Sequence, residues 1–262
     1  MHPIKHLWLY LIILLAISSC KTDTSSINLE QVNSEAGQKL IAPGLGSLGI
    51  IHNQKVYVYY LNESHKWILD KVSQFLIPEP NQGLLAMGMG IIGVVNDGNM
   101  KFYYLDAENQ WKHDTRMTMD LPGRYQQINS MRIPWQMGFV AIEEPSGVIS
   151  FYYLDENNLW TQDETARFHL PENTDDYLML GNMKVGIIYE NKLGVYELGD
   201  EGEWQFLDDM VLALPANTES VISFEAGTIA VLENNILHFY DLDPANRTWI
   251  RDNAMAFRVP DF

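Results

Sequence analysis

Five tryptophans recur along the chain, and an aromatic ring in every repeat is the residue type that can stack on a sugar. The intervals between them are 44, 49, 44 and 45 residues. Aromatic rings also bury a large apolar area when structural units pack together. Because all copies share one frame, we interpret the rings as structural, with sugar stacking as the alternative. The repeated tryptophans are Trp67, Trp111, Trp160, Trp204 and Trp249.

Carboxylates follow these tryptophans at a nearly constant distance. Asp70, Asp114, Asp163 and Asp252 come three residues after a tryptophan, and Asp208 comes four residues after. A ring of five carboxylates is one arrangement that binds cations. Aspartates in such positions also accept hydrogen bonds from the adjoining backbone or simply face water, and we predict one of these two roles. We therefore predict no metal site, and no motif for a cofactor is present.

Amide side chains occupy two sets of predicted turns, and amides both donate to and accept from sugar hydroxyls. Turns also favour asparagine for conformational reasons alone, so both roles stay open. The third copy is four or five residues longer than the others and contains Arg132 and Trp135, which we add to the candidate ligand-binding residues. The candidate asparagines are Asn81, Asn173 and Asn217 after prolines, and Asn53, Asn99, Asn191 and Asn235 between strands.

The acids and histidines form no recognisable catalytic pattern. A propeller glycosidase needs two carboxylates on innermost strands, and the predicted first strands at 84–90 and 178–182 carry none. Glu143, Glu144, Glu190 and Glu233 lie on second strands or their turns, where acids are usually solvated. The five histidines beyond residue 19 fall at different repeat positions. We predict no catalytic residue, and a glycoside hydrolase is the least favoured hypothesis.

These residues sit within a repeated pattern of short strands. A proline follows each tryptophan by eleven residues and ends an alternating apolar strand, because proline cannot donate to a strand ladder. A tyrosine-rich strand such as residues 102–105 precedes each tryptophan, and a strand with a small first residue, such as 93–95, precedes that one. A short apolar run comes first, so each copy supplies four strands. The repeated prolines are Pro78, Pro122, Pro171, Pro215 and Pro260.

Four antiparallel strands in about 45 residues are typical of a propeller blade. The first and last copies look like the others, which favours a closed ring over an open array with polar caps. The sequence therefore predicts an all-β, five-bladed β-propeller. We expect it to close by packing the first blade on the fifth, with residues 27–32 as an alternative edge strand. The predicted propeller covers 38–262, with blades at 38–81, 82–125, 126–174, 175–218 and 219–262.

The hairpin turns at residues 106–111 and 155–160 resemble the turn of Asp-box repeats in the spacing of aspartate and tryptophan. They lack the serine before the aspartate and the following glycine. The ring is also similar in blade number to tachylectin-like lectins. These resemblances imply a five-bladed propeller, and the lectins offer a precedent for glycan binding by this fold.

The N-terminal residues resemble the signal and lipobox of bacterial lipoproteins. Lys5 precedes an apolar run at 7–17, which is too short to span a bilayer and is typical of a secretory signal. Small residues then lead to Cys20, the only cysteine. The resemblance implies acylation of Cys20, and Lys21 after it implies retention at the outer membrane, facing the periplasm or the exterior. Residues 1–19 are the predicted signal peptide, and 20–37 the lipidated cysteine and polar tether.

The charge of the chain excludes one class of partner. The net charge is −17, and it becomes −18 once residues 1–19 and their single lysine are removed. Such a field repels nucleic acid. The leading hypothesis is a non-catalytic, lipid-anchored envelope protein that binds glycans. The alternative is an acidic scaffold of the outer membrane that recruits a basic protein.

Overall fold

The apolar runs of each repeat form strands whose burial depends on their place in the sheet. Second strands such as β7 (Ile91–Asn96) are buried at four consecutive positions, since they lie between two strands and between two blades. Third strands such as β8 (Asn99–Leu105) alternate between buried and partly exposed residues. These facts come from a computed structural model, which describes residues 39–44, 46–79, 81, 83–86, 90–96, 98–123, 125, 127–131, 139–181, 183–225, 227–243 and 245–260.

Each blade contributes an innermost, a second, a third and an outer strand. The innermost strands are β1 (Lys39–Gly44), β6 (Gly83–Ala86), β10 (Gln127–Met131), β14 (Asp176–Gly181) and β19 (Thr218–Glu225). The second strands are β2 (Ser47–His52), β7 (Ile91–Asn96), β11 (Phe139–Glu143), β15 (Lys184–Tyr189) and β20 (Thr228–Glu233). The third strands are β3 (Lys55–Leu61), β8 (Asn99–Leu105), β12 (Val148–Leu154), β16 (Lys192–Leu198) and β21 (Ile236–Asp243).

The outer strands are continuous in three blades and divided in two. Those of blades 2, 3 and 5 are β9 (Trp111–Asp120), β13 (Trp160–His169) and β22 (Thr248–Arg258). Blade 1 has β4 (Trp67–Leu69) and β5 (Phe75–Leu76), and blade 4 has β17 (Trp204–Phe206) and β18 (Leu212–Ala213) around a short 3-10 helix (Asp208–Met210). No helix within the described residues is long and apolar enough to cross a membrane.

The strands form five antiparallel sheets in which sequence neighbours pair. The innermost strands contact one another in a closed cycle, β1 to β6, β6 to β10, β10 to β14, β14 to β19 and β19 back to β1. This cycle is a five-bladed propeller, and the predicted fold class is confirmed.

The ring closes through an apolar seam between blades 1 and 5. Leu40 and Ile50 of blade 1 pack in one cluster with Phe224 and Phe239 of blade 5. Each of the other four clusters likewise joins two adjacent blades. The first and fifth blades therefore pack face to face, and the alternative edge strand at 27–32 lies outside the described residues.

The repeated tryptophans lie in these seams. Trp67, for example, stacks on Phe239 of the neighbouring blade with 5.6 Å between ring centroids. In four copies the indole Nε1–H donates to a carbonyl of the preceding blade: Trp67 to Met255 (3.0 Å), Trp111 to Ser73 (3.2 Å), Trp160 to Met117 (2.9 Å) and Trp249 to Met210 (2.9 Å). Trp204 differs, because its buried Nε1 has no acceptor among the described residues. Packing and hydrogen bonding thus account for the rings without a ligand.

The aspartates after the tryptophans bind their own backbone, as predicted. The Oδ1 atom accepts from the amide two residues later: Asp70 from Val72 (2.8 Å), Asp114 from Arg116 (3.0 Å), Asp163 from Thr165 (2.9 Å) and Asp252 from Ala254 (2.7 Å). Asp208 instead begins the 3-10 helix. Within the described ranges no group of three or more histidine, cysteine or acidic side chains is placed to hold a metal ion.

Candidate ligand-binding site

One face of the ring gathers most of the residues that the sequence singled out. We call this face the upper face. Every innermost strand starts there, and the second strand ends there, because the two strands pair in antiparallel orientation. The turns between second and third strands also lie there, as do the connections from each outer strand to the next blade.

Three of the candidate asparagines sit in two-residue turns that require a left-handed backbone. Asn53, Asn191 and Asn235 have φ values of 46°, 56° and 60°, and the other residue of each turn also has a positive φ. This is the type I′ turn, which matches the twist of a hairpin and selects asparagine or glycine. The turn geometry therefore explains why asparagine occurs here, and it leaves the exposed amides available to a ligand.

The other candidate asparagines lie in or beside turns of the upper face. Asn173 and Asn217 are exposed within turns closed by the amides of Thr174 and Thr218, which donate to the carbonyls of the repeated prolines at 3.1 Å. Asn81 donates to the carbonyl of Pro78 at 3.3 Å. Asn99 begins β8.

The asparagines are distributed around the upper face rather than gathered at one point, because they belong to turns of all five blades or to the connections between them. Arg132 and Trp135 lie outside the described residues. A binding site made of several neighbouring polar side chains is therefore expected where the sequence of one blade differs from that of the others.

The clearest departure is at the end of the second strand of blade 3. Glu143 is half-buried at a position where every other copy carries an aliphatic residue. All four of those aliphatic residues pack in the seam to the next blade. The cross-strand pairs at this position are Lys39 and Ile51, Gly83 and Val95, Gln127 and Glu143, Asp176 and Ile188, and Ser220 and Leu232.

Glu143 meets two further polar side chains at the seam between blades 3 and 4. Gln127 pairs with it across the strands, and the Gln127 Nε2 atom donates to Oδ1 of Asp176 at 3.1 Å. The amide of Tyr177 donates to the same oxygen at 2.8 Å. We call Gln127, Glu143 and Asp176 the seam cluster. It combines two carboxyls and one amide at the inner rim of the upper face.

Burial changes the acidity of both carboxyls in the seam cluster. It raises the pKa of Glu143, and the negative charge of Asp176 raises it further. Burial also raises the pKa of Asp176, against the lowering effect of its hydrogen bonds from Gln127 and Tyr177. Asp176 nevertheless remains exposed to water, because it is the first residue of β14. Each carboxyl is thus easier to protonate, and a protonated carboxyl donates as well as accepts.

A second polar network runs through blade 3 on the sheet face that packs toward blade 2. The fully buried hydroxyl of Ser150 donates to Glu144 at 2.6 Å, and Gln162 Nε2 donates to that hydroxyl at 3.3 Å. Tyr152 in turn donates to Gln162 at 3.3 Å, and Arg167 lies 3.5 Å from the Glu144 carboxylate. Because these groups hydrogen-bond to one another, the fold positions Glu144, whose side chain remains 33% exposed.

The structure extends one innermost strand beyond its predicted bounds. β14 begins at Asp176, two residues before the predicted start at 178, and therefore includes an acid. β19 likewise contains Glu219 and Glu225. Sequence reasoning missed Asp176 and Gln127 because strand ends were placed only from apolar residues. The signal that was present is Glu143, an acid at a position that is aliphatic in the other four copies.

An open depression on the side of blade 3 is lined by Phe139, Tyr153, Gln162, Asp163 and Glu164. It contains none of the predicted site residues and lies away from the seam cluster. The upper face with its seam cluster is therefore the candidate site.

Comparisons with known proteins do not assign the chain to a family. No protein-family profile matches the chain, and no curated protein matches it. Similar solved structures include Hsv2p of Kluyveromyces lactis, with 11% identity over 86% of this chain and a TM-score of 0.41. A functionally unknown protein from Desulfotomaculum acetoxidans has 12% identity over 85% of this chain, spans 68% of its own chain, and has a TM-score of 0.35. The chain spans 64% of the length of the Hsv2p structure. These similarities carry no argument about ligand or activity.

Proposed function

We propose that this protein is a non-catalytic binding module, held at the cell envelope by a lipid on Cys20, whose upper face binds glycans. The observation that carries the proposal is the seam cluster. A half-buried carboxyl replaces an aliphatic residue in one copy of five, beside a second carboxyl and an amide. A polar group buried at a seam position lowers the stability of the fold unless hydrogen bonds offset that cost. We therefore infer that Glu143 is present because it binds a ligand.

The chemistry of the seam cluster suits a polyhydroxylated ligand. Carboxylate and amide oxygens accept from sugar hydroxyls, and the amide nitrogen and a protonated carboxyl donate to them. The surrounding turns add exposed amides at Asn173 and Asn191. A neutral hydrogen-bonding ligand also avoids the repulsion that a molecule of net charge −17 imposes on anions.

The first experiment is a glycan-array screen of soluble residues 21–262 at low and high salt. We expect saturable binding to one sugar class that persists at high salt, because hydrogen bonding to a neutral ligand is not screened. Glu143→Leu and Asp176→Asn should each abolish it. The matched control is Asn158→Gly, which keeps a left-handed turn position between β12 and β13 at the opposite end of blade 3 and should bind normally. Binding that survives both seam variants, or that is lost in Asn158→Gly, would contradict the seam cluster as the site.

The lipid anchor has its own test in cells. Metabolic labelling with a fatty-acid analogue should tag the wild-type protein, and Cys20→Ser should lose both the label and the membrane association. Cys20 is the only cysteine in the chain, so any thioether-linked lipid must attach there. A Cys20→Ser protein that remains membrane-bound at its normal mature size would overturn the anchor.

The paired acids of the seam cluster also favour a glycoside hydrolase as a second candidate. Such enzymes use two carboxyls, one protonated as the acid and one ionised as base or nucleophile. The raised pKa values of Glu143 and Asp176 are in the direction that such an acid requires. If the protein releases reducing sugar from a bound glycan and Glu143→Gln does not, the protein is a glycoside hydrolase and the binding-module proposal is wrong. If the glycan is recovered intact, the binding-module proposal is supported.

An acidic scaffold is the remaining candidate, and the uneven charge of the ring favours it. Residues 126–262, which form blades 3 to 5, contain 23 acidic and 7 basic residues. A basic partner would be attracted to that side, and its binding would weaken steeply with salt. If the glycan array is empty, capture of one envelope protein at low salt only would favour the scaffold.

A further inference from the structure

Charge is divided sharply between the two sides of the ring. Residues 38–125, which form blades 1 and 2, contain eight acidic and eight basic residues and are neutral overall. Residues 126–262, which form blades 3 to 5, have a net charge of −16. Blades 1 and 2 are adjacent, since β1 contacts β6 and one apolar cluster joins them. The neutral part is therefore one continuous side of the molecule.

The exposed apolar side chains concentrate on that neutral side. Five of the seven large hydrophobic residues exposed in the described part of the chain belong to blades 1 and 2. Val72 and Leu76 are 63% and 72% exposed. The five residues are Tyr60, Ile68, Val72, Leu76 and Tyr104. Single exposed residues of this kind need no explanation, but four of these five belong to blade 1.

Four of these residues line the outer edge of blade 1. Ile68 lies in β4 and pairs with Tyr60 near one end of β3. Leu76 lies in β5 and pairs with Lys55 near the other end, on the opposite face of the sheet, and Val72 lies between the two short strands. We call these four residues the apolar edge. The exposed Lys71 is next to Val72, and Lys66 precedes β4. Apolar side chains flanked by lysines suit the boundary between lipid headgroups and acyl chains, where the ammonium groups reach the phosphates.

The described part of the chain begins in this same blade, at its innermost strand. β1, the first strand of blade 1, begins at Lys39, nineteen residues after Cys20. A lipid on Cys20 therefore holds blade 1 within an extended length of about 60 Å from the membrane. The charge of blades 3 to 5 opposes their approach to an anionic surface, whereas blades 1 and 2 meet no such barrier.

We propose that the apolar edge of blade 1 docks on the lipid surface and orients the ring on its anchor. The proposal rests on the lipid anchor of the proposed function and adds a second, reversible membrane contact. The occupant of the edge is the bilayer, because the edge lies on the neutral side, is flanked by lysines and follows the tether.

The test anchors the protein chemically, so that it does not depend on acylation in cells. Residues 20–262 are coupled through the Cys20 thiol to a maleimide lipid in phosphatidylcholine–phosphatidylglycerol vesicles. Hydrogen exchange is then compared with that of the same chain capped by N-ethylmaleimide and mixed with the same vesicles. We expect slower exchange in peptides covering residues 60–76 of the coupled protein. Peptides covering residues 155–164 should exchange equally in both samples.

Variants separate the apolar edge from the anchor. Val72→Asp combined with Leu76→Asp should abolish the protection, and these exposed positions leave the fold intact. The matched control is Leu159→Asp, which alters a side chain that is 63% exposed on blade 3 and should keep the protection. Thermal melting of each variant checks that the ring is unchanged.

Three outcomes would overturn the proposal: no protection on coupling, protection on blades 3 to 5, or protection that Val72→Asp with Leu76→Asp retains. Protection that appears without vesicles as concentration rises would assign the edge to a second copy of the chain and equally overturn it. If Cys20→Ser has no effect in cells while the coupled protein shows protection at the apolar edge, the lipid anchor is wrong and membrane docking of the edge is supported. If fatty-acid labelling of Cys20 is observed and the coupled protein shows no protection, only the docking proposal is wrong.

Discussion

Replacing Glu143 by leucine should stabilise the protein and abolish its ligand binding. Four of five copies carry an aliphatic residue at this position, and the blade 5 example, Leu232, is only 9% exposed. Full burial of a leucine side chain contributes about 1.5–3 kcal/mol, and Glu143 is half-buried, so we expect a gain of about 1 kcal/mol. Relief of carboxylate burial and of repulsion by Asp176 acts in the same direction.

The assay is thermal unfolding at neutral pH, paired with binding to the glycan found in the array. For a domain of this size, 1 kcal/mol corresponds to a rise in Tm of about 2–4 °C. Glu172→Leu, at an exposed turn position, is the control and should not raise Tm. A fall in Tm for Glu143→Leu would mean that the carboxyl supports the fold. Unchanged binding would refute the assignment of the seam cluster as the ligand site.

Three further predictions concern pH, the indole hydrogen bonds and the small residues of the second strands. A carboxyl with a raised pKa stabilises the folded state at acidic pH and loses that contribution as pH rises through the folded pKa. The difference in unfolding free energy between Glu143→Leu and wild type should therefore narrow as pH falls from 7 towards the ordinary glutamate value of 4.5. A difference that does not change with pH would contradict the raised pKa. Trp160→Phe should lower the unfolding free energy by about 0.5–1.5 kcal/mol more than Trp204→Phe, because only Trp160 donates a hydrogen bond that is lost. Denaturant titration of both variants measures this difference, and equal losses would contradict the unsatisfied indole. Gly49→Ala should be destabilised by about 1–3 kcal/mol, since its new methyl would lie 2.6 Å from a stiff isoleucine side chain. Gly93→Ala should be tolerated, because there the nearest atom is a flexible methionine sulfur at 3.1 Å, and the two melting temperatures compare them directly.

The fold could be predicted because each blade repeats the same physical solution. A tryptophan that fills a seam and a proline that ends an outer strand recur at a fixed offset, and five independent copies of one pattern exclude chance. Even the aspartates after the tryptophans could be assigned to backbone hydrogen bonds, since a repeated acid beside a strand has repeated amides within reach. Closure followed from the likeness of the first and last copies.

The candidate site was only partly predictable, because it depends on where copies differ and meet. Glu143 was recognised as an acid of a second strand, but its half-buried position came from the register with Gln127. Asp176 was hidden by a strand that starts two residues earlier than its apolar run indicates. The hydrogen bond between Gln127 and Asp176 joins residues of different blades, and only the closed ring brings them together.

The odd number of blades determines what lies opposite blade 1 in the ring. In a ring of five, no blade stands opposite another blade; the point diametrically across from blade 1 is the junction of blades 3 and 4. The described chain begins with β1 of blade 1, and the cluster of Gln127, Glu143 and Asp176 occupies that junction. A propeller resting on its first blade would therefore hold the cluster on the half of the ring most distant from its support. An even number of blades would have put an entire blade there and left no such junction to receive a ligand.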